Sequence, residues 1–184
     1  MRIRRLWLAL VAASAVGTAC GEGHAIFVID VGSFLSGTSN DTLLYVAPSP
    51  GGGSANIPPI GVHLLSGASS SIVDTVKVYG TALIHNTSGG AANMAFNVYF
   101  GSDSNTVYTT APVLTSNGVA GPGAADSTMN FSATLTSAVD SLFREPKIFV
   151  GMKVTLTNTS GSTALGVLRL DSLHLRVVLQ DKIF

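Results

Sequence analysis

Apolar residues recur at every second position through most of this chain, the period of a β-strand with one buried face. Val76, Val78, Gly80, Ala82 and Ile84 share one parity, with Thr75, Lys77, Tyr79 and Thr81 between them. The same alternation returns in Phe96, Val98 and Phe100, in Met129, Phe131, Ala133 and Leu135, and in Ile148, Val150, Met152, Val154 and Leu156. These sets are the expected core faces. The last segment alternates as Leu173, Leu175, Val177 and Leu179, yet Leu168 and Leu170 lie on the other parity, so one residue near Asp171 or Ser172 has to be absorbed. A β-bulge there is the simplest way to do so.

The ends of these runs carry turn chemistry. Asn86-Thr87-Ser88-Gly89-Gly90 and Asn158-Thr159-Ser160-Gly161-Ser162 each join two alternating runs and read as hairpins. Two stretches read as long loops: Ala47 to Pro59, with four prolines and the run Gly51 to Gly53, and Ser116 to Ala125, with Gly118, Gly121, Pro122 and Gly123. One helix is expected, from Ser137 to Phe143, where Ser137 and Asp140 have capping-box spacing and Pro146 closes the segment. The first strand is expected over Ala25 to Val31. About eight to ten short strands with at most one short helix predict an all-β chain. Its expected architecture is a two-sheet antiparallel β-sandwich of Greek-key, immunoglobulin-like type, with the jelly roll as the alternative.

The N-terminus departs from this pattern. Met1-Arg2-Ile3-Arg4-Arg5 is basic, Leu6 to Val16 is apolar, and Gly17-Thr18-Ala19-Cys20 is small. Those are the parts of a secretory signal, and the apolar run is too short to span a bilayer comfortably. Because the small residues end on the chain's single cysteine, the segment resembles the lipobox of bacterial lipoproteins, in which that cysteine is acylated and becomes the new N-terminus. The resemblance implies a signal peptide over 1–19, a lipidated Cys20 with a short tether over 20–24, and one domain over 25–184. Gly17 stands where leucine is commonest in a lipobox, and Gly17 with Ala19 also suits ordinary cleavage after Ala19, which would leave a secreted protein with a free thiol. An unpaired thiol in an oxidising compartment favours acylation. Position 21 is glycine rather than the aspartate associated with inner-membrane retention, so the outer membrane is the expected location in a Gram-negative cell.

Removing the signal changes the charge balance. The whole chain is neutral, with ten Lys and Arg against ten Asp and Glu. Arg2, Arg4 and Arg5 fall within the signal while every carboxylate lies beyond it, so the mature chain is mildly acidic, by about three charges. No basic patch is available for phosphates, and no nucleic-acid partner is expected. Charged residues make up 11% of the chain. With so many Ser, Thr, Gly and Asn, this is an extracytoplasmic composition with hydroxyl-rich strand faces. Trp7, the single tryptophan, leaves with the signal, so no tryptophan platform for a sugar remains.

From Thr75 to Phe100 a valine-rich strand runs into an Asn-Thr-x-Gly turn and then an aromatic-alternating strand. That segment resembles bacterial immunoglobulin-like modules related to cell adhesion, which implies a sandwich that presents loops to a partner.

No catalytic constellation is found. The chain lacks a Gly-x-Ser-x-Gly elbow, a His-Glu-x-x-His pair and a phosphate loop ending in lysine. His85 and His174 could bind a metal if they met across strands, but unrelated surface histidines are expected. Ser102-Asp103-Ser104-Asn105 offers oxygen ligands to calcium, or forms a plain turn bonding its own backbone, which is the favoured reading. Arg144, Glu145 and Lys147 read as exposed charges at a helix end. Asn40, Asn86, Asn130 and Asn158 begin Asn-x-Ser/Thr sequons that read as by-products of composition. No catalytic residue, metal ligand or cofactor is expected; Cys20 is the one candidate site, for lipidation. Two functions fit: a lipid-anchored binding or adhesion module presenting loops to an envelope protein or surface ligand, or a structural subunit pairing through uncovered strand edges.

Overall fold

A computed structural model describes residues 23–36, 40–64, 72–123, 126–135 and 137–181. Cys20, the signal segment and the last three residues lie outside this set. The chain runs β1 (Gly23–Asp30), α1 (Val31–Ser36), β2 (Thr42–Ala47), β3 (Gly52–His63), β4 (Ile72–Asn86), β5 (Ala92–Gly101), β6 (Leu114–Ala120), β7 (Asp126–Thr134), β8 (Lys147–Asn158) and β9 (Ala164–Asp181), with 3₁₀ turns at Val107–Thr109 and Ser137–Arg144.

Two antiparallel sheets pack face to face. One has the order β1-β9-β4-β7, with β2 also on β9; the other has the order β3-β8-β5-β6. Apart from β5 to β6 and the β1–α1–β2 stretch, each strand is followed in sequence by one in the opposite sheet. This is the jelly-roll order, the alternative left open by the sequence and itself a pair of Greek keys.

The alternating sets are the core. Val76, Val78, Ala82 and Ile84 meet Phe96, Val98, Val150, Met152 and Val154 across the sandwich, all essentially inaccessible to water. Phe96 and Phe131 bridge the sheets with ring centroids 5.1 Å apart. The expected bulge is present: Thr81 pairs with Ser172 and Ala82 with Leu170, so Asp171 is the extra residue. It lets Leu168 and Leu170 face the same core as Leu173 and Leu175. Gly80 lies at this point because a Cβ there would sit 2.1 Å from the Ser172 carbonyl oxygen.

Four expectations are corrected. Asn86–Gly90 and Asn158–Ser162 are not hairpins, since each carries the chain from one sheet to the other. Ala47 to Pro59 is not one loop: residues 48–51 form a corner with a cis Ser49-Pro50 bond and Gly51 at φ +133°, and β3 follows directly. Pro58 and Pro59 fit because β3 is an edge strand whose register shifts between Ile57 and Ile60. The Tyr108 hydroxyl sits over this interruption, donating to the Ile57 carbonyl and accepting from the Met152 amide at 3.1 Å. Likewise Ser116 to Ala120 belongs to edge strand β6, paired with β5. The segment from Ser137 is 3₁₀ rather than α, with Phe143 buried edge-on to Phe100 at 5.6 Å, and the α-helix lies instead at Val31–Ser36. Asp30 caps that helix, accepting from the Ser33 amide at 3.1 Å, while Val31 and Leu35 anchor it in the core.

Candidate functional site

Four inter-sheet corners, β2–β3, β4–β5, β6–β7 and β8–β9, gather at one end of the sandwich and bond to one another. In the β4–β5 corner the Asn86 side-chain amide donates to the carbonyls of Gly90, at 2.7 Å, and Gly121, and its oxygen accepts from the Ser88 amide and hydroxyl. In the β8–β9 corner Asn158 repeats the arrangement, donating to Ser162 and to Ala47, each at 2.8 Å, and accepting from the Ser160 amide and hydroxyl. The corners also interlock: the Ser160 hydroxyl accepts from the Ala91 amide at 2.8 Å, and the Ser88 hydroxyl from the Leu165 amide at 3.0 Å. The repeated Asn-Thr-Ser-Gly is therefore one structural device used twice. Asn86 is fully buried, so its sequon offers no accessible nitrogen. The polar groups of this end are committed to each other, which leaves few for a ligand.

The histidines do not converge. His85 holds Asp126 across β4 and β7 at 2.5 Å, with both side chains partly in water. His174 stacks on Tyr79 at 5.2 Å, and its Nδ1 lies 3.8 Å from Asp30, too far for a hydrogen bond. Among the described residues no group of three metal-ligating side chains forms. Asp103 accepts from the Asn105 amide at 2.8 Å, the self-bonded turn. Lys147 lies 4.6 Å over the Phe149 ring. A cleft of about 480 Å³ lies beside the β9 bulge, between Asp30, Ser33, Asp41, Arg169, Asp171 and His174. Arg169 spends its charge on Asp171 at 2.9 Å and Asp30 is the α1 cap, while the His174 Nδ1 is buried without a hydrogen-bond partner among the described residues.

A different surface stands out. β1 and β2 lie end to end along the same side of β9, joined by α1, and make one border of the five-stranded sheet. Between the exposed His24, Asp30 and Thr42 their outward residues are apolar: Ile26 is 55% exposed, Val28 57%, Leu44 76% and Val46 55%, with Phe34 of α1 at 53% and Leu165 of β9 at 43%. Leu44 stands opposite Val167 and Val46 opposite Leu165, so this end of the patch is continuous across two strands. At the far border, β7 presents Thr128, Asn130, Ser132 and Thr134 to water. A sheet face that is apolar at one border and hydroxylated at the other is asymmetric in the way interaction surfaces are.

No protein-family model matches the chain, and no curated protein matches it. Among solved structures, similarity is found to the infectious bursal disease virus Gx strain, at 12% identity over 88% of this chain and 33% of that one, with a TM-score of 0.47. The VP2 subviral particle of the same virus is similar at 14% identity over 85% of this chain and 33% of that one, TM-score 0.42. The Eiger TNF of S. frugiperda is similar at 8% identity over 76% and 91% of the two chains, TM-score 0.35. The chain spans about a third of the length of the viral proteins it matches.

Proposed function

We propose that this protein is a non-catalytic module, anchored to the bacterial envelope through an acylated Cys20, that assembles with a protein partner along the β1–α1–β2 border of its five-stranded sheet. The carrying observation is the set of large apolar side chains held in water on that border, against corners whose polar groups are already bonded internally. This favours the assembly reading over loop-tip adhesion. Removing the remaining exposed half of six such side chains from water is worth about 1 kcal/mol each. That is comparable to the lower part of the cost of joining two molecules, about 4–15 kcal/mol. The contact is therefore weak in dilute solution and gains from confinement, which an anchor three residues before β1 supplies.

The test is made on native-host membranes. Intact mass reports the anchor, and native electrophoresis in mild detergent reports assembly. The expected result is an acylated chain cut before Cys20, running in a complex that Leu44→Glu disperses and Asn130→Glu leaves intact. An unacylated soluble chain would remove the anchor, and a complex indifferent to Leu44→Glu would remove the border from the interface.

A further inference from the structure

We infer that β1 pairs antiparallel with β1 of a second copy of this chain, in a register centred on Phe27; this rests on the assembly reading above and specifies its partner. The borders of the two sheets differ in how they resist pairing. β3 is interrupted by Pro58, Pro59 and a register shift, and β6 and β7 close on each other, the Ser127 hydroxyl of β7 donating to the Val119 carbonyl of β6 at 2.9 Å. β2 is closed by β3, whose Gly53 lies so near that a Cβ there would be 2.2 Å from the Val46 carbonyl oxygen. β1 has none of these protections: Gly23–Asp30 is regular, without proline or lysine, and among the described residues β9 is its single strand neighbour.

Its sequence is also complementary to itself. In an antiparallel pair centred on Phe27, His24 of one copy faces Asp30 of the other, Ile26 faces Val28 and Ala25 faces Ile29, each pair occurring twice about the two-fold axis. The His24 imidazole meets the Asp30 carboxylate as a hydrogen-bonding partner, apolar outer residues meet apolar outer residues, and a one-residue shift of the pairing would set outward residues against core-facing ones. Phe27 faces the core yet is only partly buried, unlike the core residues of β4 and β8. The second Phe27 would supply the missing cover.

The test uses the full chain in a bacterial envelope, with Ile26→Cys and Val28→Cys made singly and together and a mild oxidant applied. Positions 26 and 28 of the two copies lie directly opposite, within disulfide reach, whereas 26 with 26 and 28 with 28 are diagonal at about 7–8 Å. The expected result is a reducible dimer from the double variant, with each single variant at the background of the wild-type chain, which carries Cys20 alone. In the double variant His24→Glu, which sets like charges opposite Asp30 twice, lowers dimer yield about five-fold, and His24→Lys retains it. Equal cross-linking from a single variant overturns the register. Absence of the dimer while the Leu44-dependent complex persists overturns self-pairing and leaves the border as an interface with another protein. Loss of both overturns the inference and the assembly reading together, as does partition of the wild-type border into lipid vesicles without any dimer.

Discussion

Replacing Asn86 by alanine removes four hydrogen bonds from the corner end at once. Its amide serves the carbonyls of Gly90 and Gly121, and its oxygen serves the amide and hydroxyl of Ser88. The side chain is fully buried, and Gly90 is buried with it. Each bond contributes about 1 kcal/mol net, and a buried partner left without water costs about 1–3 kcal/mol. Gly90 is sealed from water while Gly121 and Ser88 are partly wet, so the loss should be about 3–4 kcal/mol. Asn158 makes the corresponding bonds from a partly exposed side chain, but one of its acceptors, Ala47, is buried, so Asn158→Ala should lose about 2–3 kcal/mol. Urea unfolding of both variants measures this, read as a shift in midpoint with the slope unchanged. A loss below about 1 kcal/mol for Asn86→Ala, or one no larger than that of Asn158→Ala, would refute the reasoning that burial of the asparagine together with its partner sets the scale.

Other outcomes follow from the same geometry. Gly80→Ala should lose about 1–3 kcal/mol in the same unfolding assay, because its Cβ meets the Ser172 carbonyl at the bulge, and a neutral result would show that the bulge yields. Tyr108→Phe should lose about 1–2 kcal/mol, since the hydroxyl fills the gap left by Pro58 and Pro59, and a stability equal to wild type would deny it that role. Burial raises the Tyr45 and Tyr108 hydroxyls above their ordinary value of 10.0. Their contribution is thus complete below pH 10 and declines as the pH rises through the raised folded values; the double Tyr→Phe variant should flatten that alkaline fall, and an unchanged profile would contradict it. Leu44→Glu should change the melting temperature little, because Leu44 is 76% in water, and a large drop would mean that it is packed.

The core was legible because a period of two projects directly onto one sheet face, and the bulge because Leu170 and Leu173 cannot share a face without an extra residue between them. The corners were not. Asn-Thr-Ser-Gly specifies a local turn in which asparagine bonds its own backbone, and that chemistry is indifferent to whether the next strand returns in the same sheet or crosses to the other. β3 and β6 were hidden by proline and glycine, which an edge strand tolerates where a central strand does not. Helix α1 is six residues long and too short for a 3.6-residue repeat; Asp30 three places before Ser33 was its one readable signal. The candidate surface was illegible for a related reason. Ile26-Phe27-Val28-Ile29 is apolar on both parities, a pattern that serves equally for a strand covered on both faces and for one whose outer face awaits a partner. Cys20, the site the sequence singles out, lies outside the described residues.

The assembly claim is tested most directly by a photo-reactive amino acid placed at Leu44 or Val28, and at Asn130 or Gly161 for comparison, in chains carried by native-host membranes. The account predicts protein adducts from positions 28 and 44, with those from position 28 at the mass of two copies, and none from position 130 on the hydroxylated border or position 161 at the corner tip. Adducts from position 161 with none from 28 or 44 would place the partner at the loops and contradict it.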